Sequence, residues 1–203
     1  MTTKNVVGLT GGIGAGKSTA AAILGDFGAI IVDCDQIGRD VVTPSGGAYR
    51  RLIAHFGPHI VSEDGSINRP SLAKIVFSNP GQLEKLNQIT HPAMNSEIRK
   101  VIEQSDVDDV VVLDMAILVE SELGAGQYNH VLVIETPMDI RLNRLVSTRH
   151  MDLEDAKARI AQQATDAERR VAADSIINND AGVDELRHKL HAWWKTFTIS
   201  SGH

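Results

Sequence analysis

The chain has 203 residues, of which 42% are hydrophobic and 23% charged, which suits one α/β domain with a buried core. A net charge of −6 argues against a broad basic face for nucleic acid, although a few focused cations would still bind a small anion. Cys34 is the only cysteine, so no intrachain disulfide forms, and no apolar run approaches the roughly 20 residues of a membrane span. Because residues 1–4 also lack a signal-peptide apolar core, we expect a cytoplasmic protein with no nucleic-acid or membrane partner.

A glycine-rich segment follows the first apolar run. Residues 5–10 are typical of a short strand, residues 19–26 are good helix formers, and GGIGAGKST at 11–19 matches G-x-x-x-x-G-K-S. Glycines let several N–H groups converge on one anion, Lys17 can reach the outer phosphates, and Ser18 can offer its hydroxyl to magnesium. The sequence therefore predicts a phosphate-binding loop. The alternative, a glycine-rich turn without a ligand, is disfavoured by the matching strand and helix.

The second predicted strand, residues 29–32, ends in two aspartates, Asp33 and Asp35. In an open parallel sheet, ligands lie at the carboxyl ends of the strands. We expect this strand to lie next to the strand that leads into residue 11, so that one carboxylate faces the transferring phosphate. The alternative for Asp35 is to cap a helix that begins at Gln36. Cys34 is interpreted as a small core residue.

Residues 36–109 lack strand patterns, and prolines and glycines divide them into short helical stretches. Helices are predicted to start at Asn79-Pro80 and again at His91-Pro92. By analogy with kinases that hold a small acceptor in such an insertion, this segment is a candidate acceptor-binding subdomain. Arg39 and Arg69 are its candidate anion contacts, although solvated arginines are more common. His91 is equally well explained as a helix cap or a packed residue.

Three more buried strands are predicted, at residues 110–113, 131–134 and 175–177. The first is closed by Asp114, as in the second element of many phosphate sites, but many buried strands end in this way. The last leads into Asn179, on the same edge of the sheet. A closing helix is predicted from Val183 to Phe197.

An arginine-bearing helix is predicted from residue 139, with Arg141 and Arg144 beside an apolar stripe. In a continuous helix Arg149 would lie about 140° around the axis from Arg144. Both would converge on a nucleotide only if the helix breaks near His150, and an acidic helix start at residues 152–155 supports such a break. We interpret this hairpin as a lid that supplies arginines to the phosphates. The alternative is an amphipathic helix with solvated arginines.

Together these motifs resemble the dephospho-coenzyme A kinase family, whose members add the 3′-phosphate in the last step of coenzyme A synthesis. The resemblance covers nearly the whole chain, and its motifs are LTGGIGAGKS at 9–18, DCD at 33–35 with Arg39, Gly65 with Arg69, Leu86-Asn87 with His91-Pro92, Asp114 with Glu120, Arg144 with Arg149, Gln163-Ala164, and Ala173-Asp174 with Asn179. The phosphate loop alone is widely shared, whereas the aspartate pair combined with Leu-Asn…His-Pro is far more specific. Two departures are Ala116, where the family usually has proline, and Asp180, where it usually has glycine.

The resemblance implies an α/β fold of the P-loop NTPase type, with three layers, a parallel sheet, a helical substrate-binding insertion and a helical lid. It implies ATP and Mg2+ as cofactors, with ATP and dephospho-coenzyme A as substrates. Asp35 corresponds to the catalytic base, Lys17 and Arg144 to phosphate-stabilising cations, and Ser18 to the metal contact. The implied nucleotide contacts are Gly12, Ile13, Gly14, Ala15, Gly16, Lys17, Ser18, Thr19, Arg149 and Asn179. The implied acceptor contacts are Asp33, Arg39, Arg69, His91 and Asp114.

We therefore divide the chain into a nucleotide-binding core (residues 1–35, 110–138 and 166–203), an acceptor subdomain (36–109) and a lid (139–165). Two other functions stay open: a kinase for a different small acceptor, such as a nucleoside monophosphate, and a nucleotide-dependent switch. The switch is disfavoured because the chain has no Asn-Lys-x-Asp stretch to read a guanine base. The sequence predicts no oligomeric state.

Overall fold

A computed structural model describes residues 4–121 and 123–200. Its strands are β1 (Asn5–Thr10), β2 (Ile30–Asp33), β3 (Val110–Asp114), β4 (His130–Glu135) and β5 (Ser175–Asn178). Its helices are α1 (Lys17–Asp26), α2 (Cys34–Asp40), α3 (Tyr49–Phe56), α4 (Arg69–Phe77), α5 (Pro80–Gln104), α6 (Met138–Ser147), α7 (Leu153–Ala161), α8 (Asp166–Ala172) and α9 (Val183–Ser200), with a short 3-10 helix at Pro58–Ile60.

The five strands form one parallel sheet in the order β2-β3-β1-β4-β5. All six residues of β1 are buried, and the interiors of β3 and β4 are equally apolar and buried. Strands of this kind occur where both faces of a parallel sheet are covered. Helices α1 and α9 pack together over one face, with Leu24 and Leu190 among the buried side chains. The predicted strands and the predicted fold class are confirmed.

The prediction that β2 lies next to β1 is wrong, because β3 lies between these two strands. Residues 110–113 of β3 are apolar and at most 3% exposed, so this strand needs a partner on each side. In β2 only Val32 is buried and Asp33 is exposed, which suits the edge of the sheet. At about 4.8 Å between neighbouring strands, β2 runs about 10 Å from β1.

The chain divides into two compact units: a sheet unit, with residues up to Asp33 and from Ile102 onward, and a helical unit, Cys34–Val101. The boundaries drawn from the sequence, after residues 35 and 109, lie two and eight residues further along. Within the described part of the helical unit, the only β-pairing is an isolated antiparallel bridge between Val61 and Ile67. Across residues 4–121 and 123–200, no helix combines the length and apolarity needed to cross a membrane.

The helix predicted to start at His91-Pro92 does not start there. Helix α5 begins at Pro80 and continues through Pro92 to Gln104. A proline inside a helix costs about 3 kcal/mol, since it removes one hydrogen bond and its ring crowds the previous turn. Ile89, before this proline, and Met94 and Ile98, after it, are buried, and burying such a side chain stabilises by roughly 1.5–3 kcal/mol. Packing on both sides therefore keeps the helix continuous.

The arginine-bearing helix breaks as predicted. Helix α6 ends at Ser147, His150 has a φ of 52°, and the Asp152 carboxylate caps α7 by accepting from the Glu154 N–H at 2.8 Å. Helix α8 was not predicted, although Thr165 and Glu168 form the capping box at its start. The spacing S/T-x-x-E is a known signal for a helix N-terminus and would have located it.

Candidate active site

The phosphate-binding loop joins β1 to α1 through glycines in the left-handed backbone region. Gly14 has a φ of 81° and Gly16 a φ of 93°, conformations that a residue with a Cβ adopts only under strain. Gly16 is also crowded, since a Cβ there would lie 2.2 Å from Asn179 Nδ2. Gly16 is the N-cap of α1, so this tight turn brings the N-terminus of the helix to the loop.

Several carbonyl groups of the loop accept hydrogen bonds from the protein around them. The pairs, donor first, are Ala15 N to Gly12 O (2.9 Å), Arg141 Nε to Ile13 O (3.0 Å), Asn179 Nδ2 to Ala15 O (2.8 Å) and Ala20 N to Gly16 O (3.0 Å). Across a trans peptide, the N–H of the next residue points the opposite way. The N–H groups of Gly14, Gly16 and Lys17 are therefore turned away from these donors.

The start of α1 adds further donors. The first N–H groups of a helix have no acceptor within it, and here these belong to residues 17–19, since Ala20 bonds to Gly16. They lie at the positive end of the helix dipole, where an anion is stabilised. The loop and α1 therefore form a site suited to a phosphate group.

Thr136 and Asn179, which directly follow β4 and β5, hold the loop in place. The Thr136 hydroxyl lies 3.0 Å from the carbonyl oxygens of both Ala15 and Asn179, and its residue is 1% exposed. The backbone N–H of Asn179 donates to Glu135 O at 2.7 Å, in line with the β4–β5 ladder. Asn179, predicted to contact the nucleotide, thus uses its side-chain amide to fix Ala15.

Lys17 and Asp114 form an ion pair at the carboxyl edge of the sheet. Lys17 Nζ donates to Asp114 Oδ1, and each side chain is only 14% exposed. Asp114 is the register partner of Leu9 in β1 and of Asp33 in β2. Asp114, and not Asp33, is therefore the aspartate on the strand adjacent to β1.

Asp33 and Asp35 occupy different elements. Asp33 is the exposed last residue of β2, and Asp35 is exposed in the first turn of α2. The helix already begins at Cys34, so the alternative in which Asp35 caps a helix beginning at Gln36 is wrong. The Cys34 side chain is buried, as its interpretation as a core residue requires.

Arg144 and Arg149 line one cavity of about 410 Å³ in the sheet unit. The other lining residues are Gly14, Gly16, Thr19, Thr148, Asn179, Ala181, Gly182, Val183 and Leu186. Arg144 Nη2 donates to Asn179 O at 3.1 Å, which fixes its guanidinium beside the loop. Both arginines line the same cavity because α6 ends before Arg149. The polar side of this cavity adjoins the phosphate loop, and Val183 and Leu186 give it an apolar side.

Arg141, by contrast, is neither solvated nor among the residues that line this cavity. Its side chain is 3% exposed, and Nη1 donates to Asp166 Oδ1 at 3.0 Å. Burial lowers the pKa of the Arg141 guanidinium, and the Asp166 carboxylate opposes that shift. Arg169, 2% exposed, bonds to the same Asp166 oxygen and to Glu120, each at 3.4 Å. Because the partners are up to 49 residues apart, local sequence patterns did not reveal this charge cluster, in which the two arginines are buried.

The remaining predicted acceptor contacts belong to three helices of the helical unit. Arg39, in the last turn of α2, is exposed and donates from Nε to Gln36 Oε1 at 2.9 Å. Arg69 is the exposed first residue of α4. His91 is half-buried inside α5, so the alternative that it caps a helix is wrong.

The side chains offer few metal ligands of their own. Ser18 is exposed in the first turn of α1. Among residues 4–121 and 123–200, no three or more His, Cys, Asp or Glu side chains are grouped to hold a metal ion. The exposed Ser18 hydroxyl fits magnesium in a phosphate site, where the ion keeps several waters and takes oxygens from the substrate.

The parallel sheet, the glycine loop at the N-terminus of α1 and the Lys17–Asp114 pair define a kinase of the P-loop class. The family model for dephospho-CoA kinase matches residues 5–185. The chain belongs to the dephospho-CoA kinase family.

Individual relatives agree with this assignment. The chain is 39% identical to a dephospho-CoA kinase of Streptomyces avermitilis, with 93% of this chain and 91% of the relative covered. It is 38% identical to one of Thermobifida fusca, with 93% and 94% covered. A solved dephospho-CoA kinase from Campylobacter jejuni has the same fold, with a TM-score of 0.73, 24% identity, and 98% and 99% of the two chains covered.

Proposed function

We propose that this chain transfers the γ-phosphoryl group of ATP to the ribose 3′-hydroxyl of dephospho-CoA, giving CoA and ADP in the last step of CoA biosynthesis. The observation that carries this proposal is the phosphate loop, whose carbonyls are bonded to the protein and whose Lys17 lies against Asp114. The family identifies the acceptor. We also propose that the enzyme acts in the cytoplasm, as expected from the sequence.

In this proposal the triphosphate of ATP lies over the loop from Gly12 to Thr19. Its charge is met by backbone N–H groups, by the start of α1 and by Lys17. Arg144 and Arg149 contact the nucleotide from the cavity wall, and the apolar side near Val183 and Leu186 takes the rest of the nucleotide. Residues 139–165, which carry both arginines, act as the lid.

The glycine cradle and the exposed Ser18 hydroxyl fit a magnesium-bound triphosphate. The ion neutralises phosphate charge when bound, and Ser18 is the residue that would hold it. The protein's own cations, Lys17 and Arg144, stabilise the charge that spreads over the phosphoryl oxygens in the transition state.

Asp35 is the proposed catalytic base. It lies two residues beyond Asp33, whose register partner Asp114 contacts Lys17. In the proposed mechanism the Asp35 carboxylate accepts a hydrogen bond from the 3′-hydroxyl, orients it and takes its proton late. The transition state of phosphoryl transfer is loose, so orientation and charge neutralisation supply most of the rate. Asp33, Arg39, Arg69, His91 and Asp114 are the proposed acceptor contacts.

A panel of acceptors tests the proposed function. Purified protein is incubated with ATP, magnesium and either dephospho-CoA, a nucleoside monophosphate or a nucleoside, and ADP release is followed by a coupled assay. We expect dephospho-CoA alone to raise ADP release above the rate without acceptor. Faster release with a nucleoside monophosphate would assign a different small-acceptor kinase, and tight ATP binding without turnover of any acceptor would assign a switch.

A further inference from the structure

We propose that Gln163 and Arg141 are positioning residues for the nucleotide, because they hold the two polar groups of a single phosphate-loop residue, Ile13. Gln163 and Arg141 lie near opposite ends of the lid segment, 139–165. The inference rests on the proposed function in one respect, since it takes this loop to be the nucleotide site.

Two hydrogen bonds of normal length hold Ile13, and we call this pair of bonds the grip on Ile13. The Ile13 N–H donates to Gln163 Oε1 at 2.7 Å, across 150 residues of chain. Arg141 Nε donates to Ile13 O at 3.0 Å, across 128 residues. Ile13, which the resemblance assigns to the nucleotide, thus has its N–H bonded to the protein itself. Ile13 therefore shapes the loop.

The fit between Arg141 and the loop is close on both sides of Ile13. A Cβ at Gly12 would lie 2.5 Å from Arg141 Nη2, and one at Gly14 would lie 3.1 Å from the Arg141 carbonyl oxygen. Glycines at these two positions let α6 approach the backbone of the loop. The guanidinium then fills the space that a side chain would occupy.

The Arg141 side chain and the backbone beside Gln163 are themselves held. Asp166 accepts from Arg141 Nη1 at 3.0 Å. Glu120 Oε1 accepts the backbone N–H of Ala164 at 2.7 Å, which fixes the chain directly beside Gln163. Arg169 lies between the two carboxylates, 3.4 Å from each. This charge cluster thus anchors both ends of the lid segment at the phosphate loop.

The consequence concerns the peptide planes that flank Ile13. With its carbonyl held by Arg141, the N–H of Gly14 points the opposite way across the peptide bond. Loss of either hydrogen bond frees these planes to rotate, so the loop must be ordered again when phosphate binds. Arg144 lies one helical turn beyond Arg141 in α6, so the same grip also fixes the position of the cavity arginine.

Substitution of Gln163 tests the grip, and its neighbour provides a matched control. Gln163→Met keeps the length of the side chain and removes the acceptor, whereas Gln162→Met makes the same change at an exposed helix C-cap. ADP binding is measured by calorimetry, Ile13 amide exchange by NMR, and KM for ATP and for dephospho-CoA by steady-state kinetics. A net hydrogen bond to an uncharged group corresponds to a change in affinity of about threefold to tenfold.

For Gln163→Met we expect ADP to bind about threefold to tenfold more weakly, KM for ATP to rise in parallel, and the Ile13 amide to lose protection. KM for dephospho-CoA and the melting temperature should stay at the values of Gln162→Met. Equal ADP affinity and equal Ile13 protection in the two variants would overturn the proposal, as would a fall in melting temperature with no change in ADP affinity.

Arg141→Lys is the second variant, since it keeps a cation for Asp166 but loses the Nε donor. We expect weaker ADP binding here too, with a less than additive effect in the double variant because both residues act on Ile13. Fully additive effects would contradict a shared grip. ADP binding needs no acceptor, so the grip can hold even if dephospho-CoA is not phosphorylated, and the two failures are distinguishable.

Discussion

The sheet unit and the helical unit differ in how firmly their structure holds the candidate site residues compared below. In the sheet unit, Lys17 and Arg144 are fixed by named partners beside a loop whose backbone is bonded to the protein. In the helical unit, Asp35 and Arg69 stand exposed on helix surfaces. The phosphate loop is therefore organised by the folded chain itself, whereas Asp35 and Arg69 are exposed residues whose role toward an acceptor is a proposal. This difference indicates that substitutions in the two units will affect different steps.

The sharpest test of this contrast is Asp35→Asn in the helical unit. The amide keeps the shape of the side chain but cannot take a proton, so kcat should fall by roughly 10²–10⁴-fold. ATP should still bind, because the phosphate loop belongs to the other unit. Asp40→Asn, in the last turn of the same helix, is the control and should keep normal kcat. Near-normal kcat in Asp35→Asn would remove Asp35 from the mechanism, and a large loss in Asp33→Asn instead would move the role to Asp33.

In the sheet unit, Gly16→Ala should be more harmful than Gly28→Ala. Both glycines have positive φ, 93° and 101°, so both alanines carry a backbone penalty of about 1–2 kcal/mol. At Gly16, but not at Gly28, the new Cβ would clash with Asn179 Nδ2. The clash would break the hydrogen bond from Asn179 Nδ2 to Ala15 O, at a further cost of about 1 kcal/mol.

Urea unfolding and ADP calorimetry check this pair. We expect a larger loss of unfolding free energy in Gly16→Ala, together with weaker ADP binding, while Gly28→Ala binds ADP normally. Equal losses of unfolding free energy with intact ADP binding in both variants would show that the loop is less constrained than its contacts indicate.

A smaller effect is expected where α5 enters the sheet unit. Lys4 Nζ donates to the carbonyl oxygens of Ile102 (2.6 Å), Glu103 (3.1 Å) and Ser105 (2.6 Å), at the negative end of the helix dipole. Lys4→Met should lower the free energy of unfolding by about 1 kcal/mol. Lys100→Met, which removes only an exposed pair with Glu97, should change it by less than about 0.5 kcal/mol. The same small change in both variants would mean that the Lys4 contacts do not stabilise the helix end.

The smallest expected effect is a pH dependence at His130, the first residue of β4. His130 lies against Ser175, Trp193 and Phe197, and its burial lowers its pKa, with Asp174 opposing the shift. Since the unfolded chain then binds the proton more readily, stability should be complete above the unfolded pKa of about 6.5 and should decrease as the pH falls below it.

His130→Gln should make the melting temperature less dependent on pH between about 7.5 and 5.5. The wild type and the variant are compared by thermal unfolding, with a reference at pH 8, where the histidine is neutral in both the folded and the unfolded state. A slope in the variant as steep as in the wild type would assign the effect to other groups.

Structure was predicted correctly from the sequence where the residues that determine it are neighbours in the chain. The loop at residues 11–19 was predicted because its glycines, Lys17 and Ser18 act through local backbone geometry. The break near His150 was predicted because the next helix carries its own acidic start. Family membership was likewise indicated by motifs spread along the chain.

Structure was not predicted correctly where it depends on packing between residues that are far apart in the chain. The place of β2 at the sheet edge depends on the greater burial of β3, and the continuity of α5 through Pro92 depends on apolar contacts on both sides. Arg141 was expected to face the phosphates or the solvent, but it is buried against Asp166, 25 residues away. The bond of Gln163 to Ile13 likewise joins residues that no local pattern connects. The roles of the site residues and the division into core, acceptor subdomain and lid stay predictions.

The central claim is that the organised phosphate site transfers a phosphoryl group to dephospho-CoA, and the product of that reaction tests it most directly. Purified protein is incubated with ATP, magnesium and dephospho-CoA, and the product is analysed by mass spectrometry and phosphorus NMR. We predict a product heavier by one phosphoryl group, attached at the ribose 3′-hydroxyl, with one ADP formed for each product molecule. Unchanged dephospho-CoA, or a phosphoryl group attached at a different position, would contradict the account.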